Sequence, residues 1–282
     1  MNTRARAAGP LFLLLALASC ASGPSLPSDA EPERLLPAGA LAYAKLDREL
    51  FRAAAAALGG PDAARSAKAL VDRTDTVWVA VSAQSSGDPG LLAVARGRYP
   101  SAGSLALALR SGWHRDGLSW AQDSGPFRVA SAGTKALAFG TVALDGVLSA
   151  ITMPGPHPIP DDWRAAWDAD VAVFVPRPLA SLAGSLGMDP DAAPLEAAMV
   201  AARQDGDAYR AELVFGFADE RSARIFAPLC RLILYGAAHS LWSPRANDIL
   251  SAAEWTAAGR RVTAHGFSLD AAELAAFLTA LQ

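Results

Sequence analysis

Five short turn signals punctuate the chain, and they restrict its fold more than any other feature. Ser85-Ser86-Gly87-Asp88-Pro89-Gly90, Asp116-Gly117, Ser124-Gly125, Gln204-Asp205-Gly206-Asp207 and Ala258-Gly259 each separate two runs of apolar and β-branched residues. That arrangement specifies antiparallel hairpins, because a parallel crossover needs a connection of a dozen or more residues. The pattern predicts strands over 76–83, 91–98, 113–115, 118–122, 127–132, 135–142, 195–203 and 209–217. A last hairpin falls within 252–268, and isolated strands are expected at 41–46 and 170–175.

Helical signals lie between these strands. Asp47 is placed to cap an Ala-rich helix that Gly59-Gly60 stops. Shorter helices are expected over 63–72, from Asp145, over 162–169 and over 179–186. Residues after Ser101 read as helix, although 105–109 alternate at period two and read equally as a strand. A long helix is expected from Asp219 to about Trp242, and Asp270 with Glu273 forms a capping-box start for a terminal helix. Residues 153–160 carry four prolines and cannot form regular structure.

On either side of that linker the order of elements repeats: strand, helix, hairpin, helix, hairpin, helix. Leu41 corresponds to Val171, Leu91 to Arg210 and Ser101 to Glu220. The expectation is an α+β protein of two pseudo-repeated halves, 36–152 and 161–282, in mainly antiparallel sheet with helices packed on it.

A hydrophobic fraction of 52% suffices for a core. The charge balance, 25 basic against 28 acidic residues for a net of −3, offers no excess for neutralising phosphates, so no nucleic-acid partner is expected.

The first residues are of a different kind. Arg4 and Arg6 precede an apolar run over 11–17 that ends in Leu17-Ala18-Ser19-Cys20. The run is shorter than the roughly 20 residues a spanning helix requires and has the make-up of a secretory signal. Leu17, Ala18, Ser19 and Cys20 resemble the lipobox of bacterial lipoproteins. The resemblance implies a signal peptide over 1–19, cleavage before Cys20, diacylglycerol in thioether linkage on Cys20 and a fatty acyl group such as palmitate on the new amino terminus. Ala21 stands where an Asp would retain the protein in the inner membrane, which implies the outer membrane, periplasmic side. The alternative is an ordinary secreted protein with Cys20 at its cleavage site by coincidence. Residues 20–35, rich in Ser, Pro, Gly and acids, read as a flexible tether behind the lipidated Cys.

Motifs for chemistry are missing from the sequence. No Gly-x-Ser-x-Gly elbow, Walker, dinucleotide or zincin motif occurs. With Cys20 lipidated, Cys230 is left without a disulfide partner and reads as a small buried hydrophobe. His114, His157, His239 and His265 are isolated, although Asp116 could orient His114. Asp189-Pro-Asp191 offers too few oxygens for calcium, and Asp161 with Asp162 reads as a helix start. Neither catalytic residues, a metal nor a cofactor is expected.

The helix over 219–242 is the unusual segment. It does not suit a bilayer span: its large apolar residues gain about 0.5 kcal/mol each against about 3 kcal/mol lost at Arg231, before Pro228, His239 and Ser240 are counted. Projected at about 100° per residue, Ile225, Phe226, Leu229, Leu232 and Ile233 form a wide stripe. Arg224, Arg231, Tyr235 and Trp242 share the opposite sector, with Cys230, Leu234 and Leu241 between. Two readings stand. Either the helix is buried on two sides by the other half, or its Arg-aromatic sector contacts lipid headgroups. Trp163 and Trp167, an i, i+4 pair beside Arg164, could be a second interfacial pair or a core staple.

The repeated β/α halves and amphipathic helices resemble an α/β outer-membrane lipoprotein of treponemes, whose helices are held to dip into the inner leaflet. The function implied is a non-enzymatic, lipid-anchored envelope protein that contacts membrane or an apolar ligand. A periplasmic scaffold that binds an envelope protein partner without touching lipid is the alternative, and a hydrolase without a recognisable motif is a third reading.

Overall fold

All five turns join antiparallel neighbours in a computed structural model of the chain, which describes residues 31–54, 68, 70–84, 89–100, 111–179 and 194–280. Among the described residues twelve strands form one sheet: β1 (Ala42–Asp47), β2 (Thr74–Ala83), β3 (Pro89–Gly97), β4 (Trp113–Asp116), β5 (Ser119–Gln122), β6 (Arg128–Ser131), β7 (Ala136–Gly140), β8 (Val171–Pro176), β9 (Leu195–Asp205), β10 (Ala208–Phe217), β11 (Glu254–Ala258) and β12 (Arg261–Leu269). Their spatial order is β11-β12-β10-β9-β8-β1-β2-β3-β7-β6-β5-β4. Gly206 (φ +65°) and Gly259 (φ +55°) take the left-handed conformation that their tight hairpins demand and that side chains disfavour.

The two strands at the starts of the halves meet at the centre. β1 pairs antiparallel with β8, Tyr43 opposite Phe174 and Lys45 opposite Ala172. Outward from this pair run β2 and β3 on one side and β9 and β10 on the other. Beyond those strands the sides differ, with β7-β6-β5-β4 against β12-β11, and the molecule is therefore one continuous α+β sheet.

Strand alternation divides the core between the two faces. On one face Tyr43, Trp78, Leu92, Val94, Phe174 and Met199 are covered by the Pro32–Leu35 turn, by α1 (Asp145–Ala150) and by α2 (Arg164–Trp167), which continues a single 3-10 turn at Asp161–Trp163. The last residues of the stretch expected to be a flexible tether are thus part of the fold. Leu35 and Leu36 are buried, and the Trp78 indole donates to Glu33 Oε1 at 2.8 Å. On the other face Leu46, Val200, Tyr209, Phe215, Phe217 and Phe267 are covered by α3 (Glu220–Leu241), α4 (Ala246–Ala252) and α5 (Ala271–Ala280).

Local caps hold as read. Asp47 Oδ1 accepts from Leu50 N at 2.8 Å, at the start of the helical residues 48–54, and its Oδ2 accepts from Tyr209 OH at 2.7 Å, which ties the two halves together. Glu273 N donates to Asp270 Oδ1 and Asp270 N to Glu273 Oε2, the reciprocal pair of a capping box. Helix α4 has no counterpart in the sequence reading. The helices expected over 63–72 and 179–186, the one after Ser101 and the signal and lipobox residues lie wholly or mostly outside the described residues.

Candidate functional site: the outward side of the long helix

Asp219 starts α3. Its Oδ1 accepts from Ser222 N and its Oδ2 from the Ser222 hydroxyl, both at 2.8 Å, and these bonds hold the Asp219 carboxyl below the usual carboxylate range. The sheet beneath is rich in aromatics, and the helix side against it is built mostly from small residues with Leu234 among them. Ala223, Cys230, Leu234 and Ala238 are buried there with Phe215, Phe217, Val262 and Phe267. Phe226 lies at the flank, stacked on Phe217 with centroids 6.0 Å apart.

Four large apolar residues of the helix are on its outside. Ile225 is 60% exposed, Leu229 45%, Leu232 64% and Ile233 45%. At about 100° per residue these four occupy one arc of about 100°, and Gly236, exposed within it, leaves the arc smooth. Surface apolar residues occurring singly are ordinary, whereas a contiguous stripe on one helix marks a contact surface. This corrects the expected orientation: the stripe of Ile225, Leu229, Leu232 and Ile233 faces away from the sheet, and the helix is buried on one side rather than two.

A polar flank borders the stripe. Arg221, Arg224, Pro228, Arg231, Tyr235 and His239 are exposed there. Arg224 pairs with Glu220, the Arg231 guanidinium lies 5.8 Å from the Trp255 ring, and the Tyr235 and His239 rings are 4.4 Å apart. Arg224, Arg231 and Tyr235 therefore share a surface as their spacing predicts, and Trp242 does not. It follows the last helical turn with φ −122° and ψ 33°, so helical projection no longer applies to it. Its side chain is 2% exposed, packs on Phe277 at 5.7 Å, and donates its indole N–H to Glu273 O at 2.9 Å.

The other residues singled out by sequence are structural. Trp163 and Trp167 are buried core residues. Trp163 lies 5.2 Å from Phe174 with the Arg261 guanidinium 4.7 Å from its ring. His114 pairs with Asp123 at 2.6 Å instead of Asp116, which pairs with Arg128. His265 lies 3.8 Å from Glu254, and His157 bonds the backbone of Ile159. Asp161 and Asp162 form ion pairs with Arg164 and Arg261. Burial pushes the Cys230 thiol up to about 11, so it remains a protonated hydrophobe.

Among the described residues, no group of three or more His, Cys, Asp or Glu side chains could hold a metal, and no helix is long and apolar enough to cross a membrane.

No family model matches the chain, and no curated protein does. Solved structures of the treponemal protein TP0453 do match in fold. Crystal form I superposes with a TM-score of 0.62 at 15% identity, over 90% of this chain and 99% of its own. Form III gives the same score and identity over 90% and 100%, and form IV over 89% and 98%. At this identity the likeness is one of fold, and it extends across nearly the whole of both chains.

Proposed function

We propose that the chain is a non-enzymatic cell-envelope protein, anchored through lipid on Cys20, and that the outward side of α3 lies in the surface of a bilayer. The observation that carries this reading is the stripe of Ile225, Leu229, Leu232 and Ile233, exposed along a helix too polar to span. An interfacial helix needs an apolar side that sinks to the acyl boundary and a cationic or aromatic flank at headgroup level. Arg221, Arg224, Arg231 and Tyr235 supply that flank. The whole-length likeness in fold to TP0453 is compatible with a non-enzymatic envelope protein. The lipobox resemblance supports the anchor.

The anchor is tested by metabolic labelling with a radioactive fatty acid. Label is expected on the wild type and none on Cys20→Ala, and label retained on the variant overturns lipidation at Cys20. The surface contact is tested by flotation of an unlipidated chain over residues 31–282 with phosphatidylcholine vesicles containing phosphatidylglycerol. Flotation is expected. A protein that stays at the bottom of the gradient leaves the stripe to a protein partner.

A further inference from the structure

A second feature, independent of the helix, lies where three neighbouring strands reach the same end of the sheet. Arg73 precedes β2, Arg98 follows β3 and Lys135 precedes β7. These side chains, with Gly97, Tyr99, Pro100 and Thr134, line a concavity of about 460 Å³.

Its backbone is tightly fixed. Arg98 N donates to Arg73 O at 2.8 Å, Gly97 N to Lys135 O at 2.9 Å and Tyr99 N to Thr134 O at 2.8 Å. A Cβ at Gly97 would overlap the Arg73 carbonyl oxygen, so only glycine allows the strands to close this far. Beneath them the Tyr99 hydroxyl bonds Thr74 Oγ1 at 2.9 Å in a buried pair. The three cations therefore project from a rigid rim.

Among the described residues none of the three has a carboxylate partner and no carboxylate lines the concavity, and the acids nearest Arg73 in sequence are already engaged, Asp72 with Arg52 and Lys68 and Asp75 with Arg48. The chain has more acids than bases, and Arg34, Arg128, Arg164, Arg210, Arg224, Arg245, Arg260 and Arg261 each have a carboxylate partner. Arg73, Arg98 and Lys135 line one concavity, so their like charges share a space where an anion would offset their mutual repulsion. Two guanidinium forks and one ammonium suit a tetrahedral oxyanion. The exposed Thr134 hydroxyl adds a neutral donor.

We infer that the Arg73–Arg98–Lys135 concavity binds a phosphate group, either as the headgroup of an anionic phospholipid or as a free phosphate ester. Binding weakens as salt rises, since the attraction is between exposed charges.

The test uses the full chain in neutral detergent, titrated calorimetrically with glycerol 3-phosphate and with inorganic phosphate, and also co-sedimented with phosphatidylcholine vesicles with and without phosphatidylglycerol. The variant replaces Arg73, Arg98 and Lys135 with Gln. These residues are exposed, so the melting temperature should not change, and Lys135→Gln alone serves if the triple variant does not fold. The wild type should bind at least one probe, the triple variant at least tenfold more weakly and Lys135→Gln severalfold more weakly. Phosphatidylglycerol-dependent binding without response to the soluble probes identifies a lipid headgroup. Saturation by soluble phosphate identifies a free ester. Binding of no probe by the wild type, or equal binding by wild type and variants, overturns the site. Glycerol 3-phosphate binding that survives polar substitution of the α3 stripe separates this site from the helix contact.

Discussion

The apolar stripe on α3 allows a quantitative test of membrane contact. Burying a Leu or Ile side chain completely is worth about 1.5–3 kcal/mol. Ile225 and Leu232 are 60% and 64% exposed in water, so each has roughly 1–2 kcal/mol still to gain on entering an apolar phase. Changing both to Gln removes that gain at little cost in helix propensity, because Gln is a good helix former. The double variant should partition about 3 kcal/mol more weakly, on the order of 100-fold. Folding should hardly respond, since surface substitutions usually shift stability by less than about 0.5 kcal/mol each. The assay is titration of the unlipidated chain with vesicles at two salt concentrations, paired with urea denaturation. Because the lost term is apolar, the ratio of wild type to variant should persist at high salt. Partition coefficients within threefold of each other would refute the reasoning. A loss of several kcal/mol in denaturation would do so too, by showing that these side chains are packed.

Trp242→Ala should behave in the opposite way, destabilising the fold by about 3–5 kcal/mol as expected for a buried aromatic, with the loss read from the denaturation midpoint. Gly216→Ala should cost about 1–3 kcal/mol as a small-to-large change, because the new Cβ would meet Trp163 Cζ2 at 2.5 Å; the same midpoint checks it. Burial holds the Tyr43, Tyr99 and Tyr209 phenols above their ordinary range, with the Asp47 carboxylate adding to the effect at Tyr209. Their stabilisation is complete below the unfolded tyrosine value of about 10 and is lost as pH rises above it, because the unfolded chain ionises first. Stability measured from pH 8 to 11 should fall above pH 10, and less steeply in Tyr209→Phe.

What could be read from sequence was whatever adjacent residues decide. The Asp-Gly and Ala-Gly turns, the Asp47 cap, the helix start at Asp219 and the Asp270–Glu273 box all formed where expected, because each depends on a few neighbouring residues. The direction in which α3 faces depends on its substrate, and a helical wheel does not contain that substrate. The larger stripe suggested an inward side, yet β10 and β12 already contribute Phe215, Phe217 and Phe267, and such a floor leaves room for one large aliphatic, Leu234, among the small Ala223, Cys230 and Ala238 rather than for a full row of Leu and Ile. The run of small residues on the other side of the helix was the available signal. Trp242 was misplaced because the helix ended one residue before it. Helix α4 was missed because Ala246-Asn-Asp-Ile-Leu-Ser-Ala252 is too short to show a period.

The central β1–β8 pair also sets the order in which the molecule can assemble. Tyr43 and Phe174 meet across roughly 130 residues, a closure that costs about 4 kcal/mol of chain entropy beyond a constant, whereas the β2–β3 and β9–β10 hairpins close locally. A chain delivered amino terminus first can complete β1-β2-β3 early and must then wait for β8. Throughout that interval one side of β1 is an unpaired edge, the kind of surface that recruits a strand from another molecule. The seam that unites the finished sheet is thus, during biogenesis, the point at which two immature copies would most readily exchange strands.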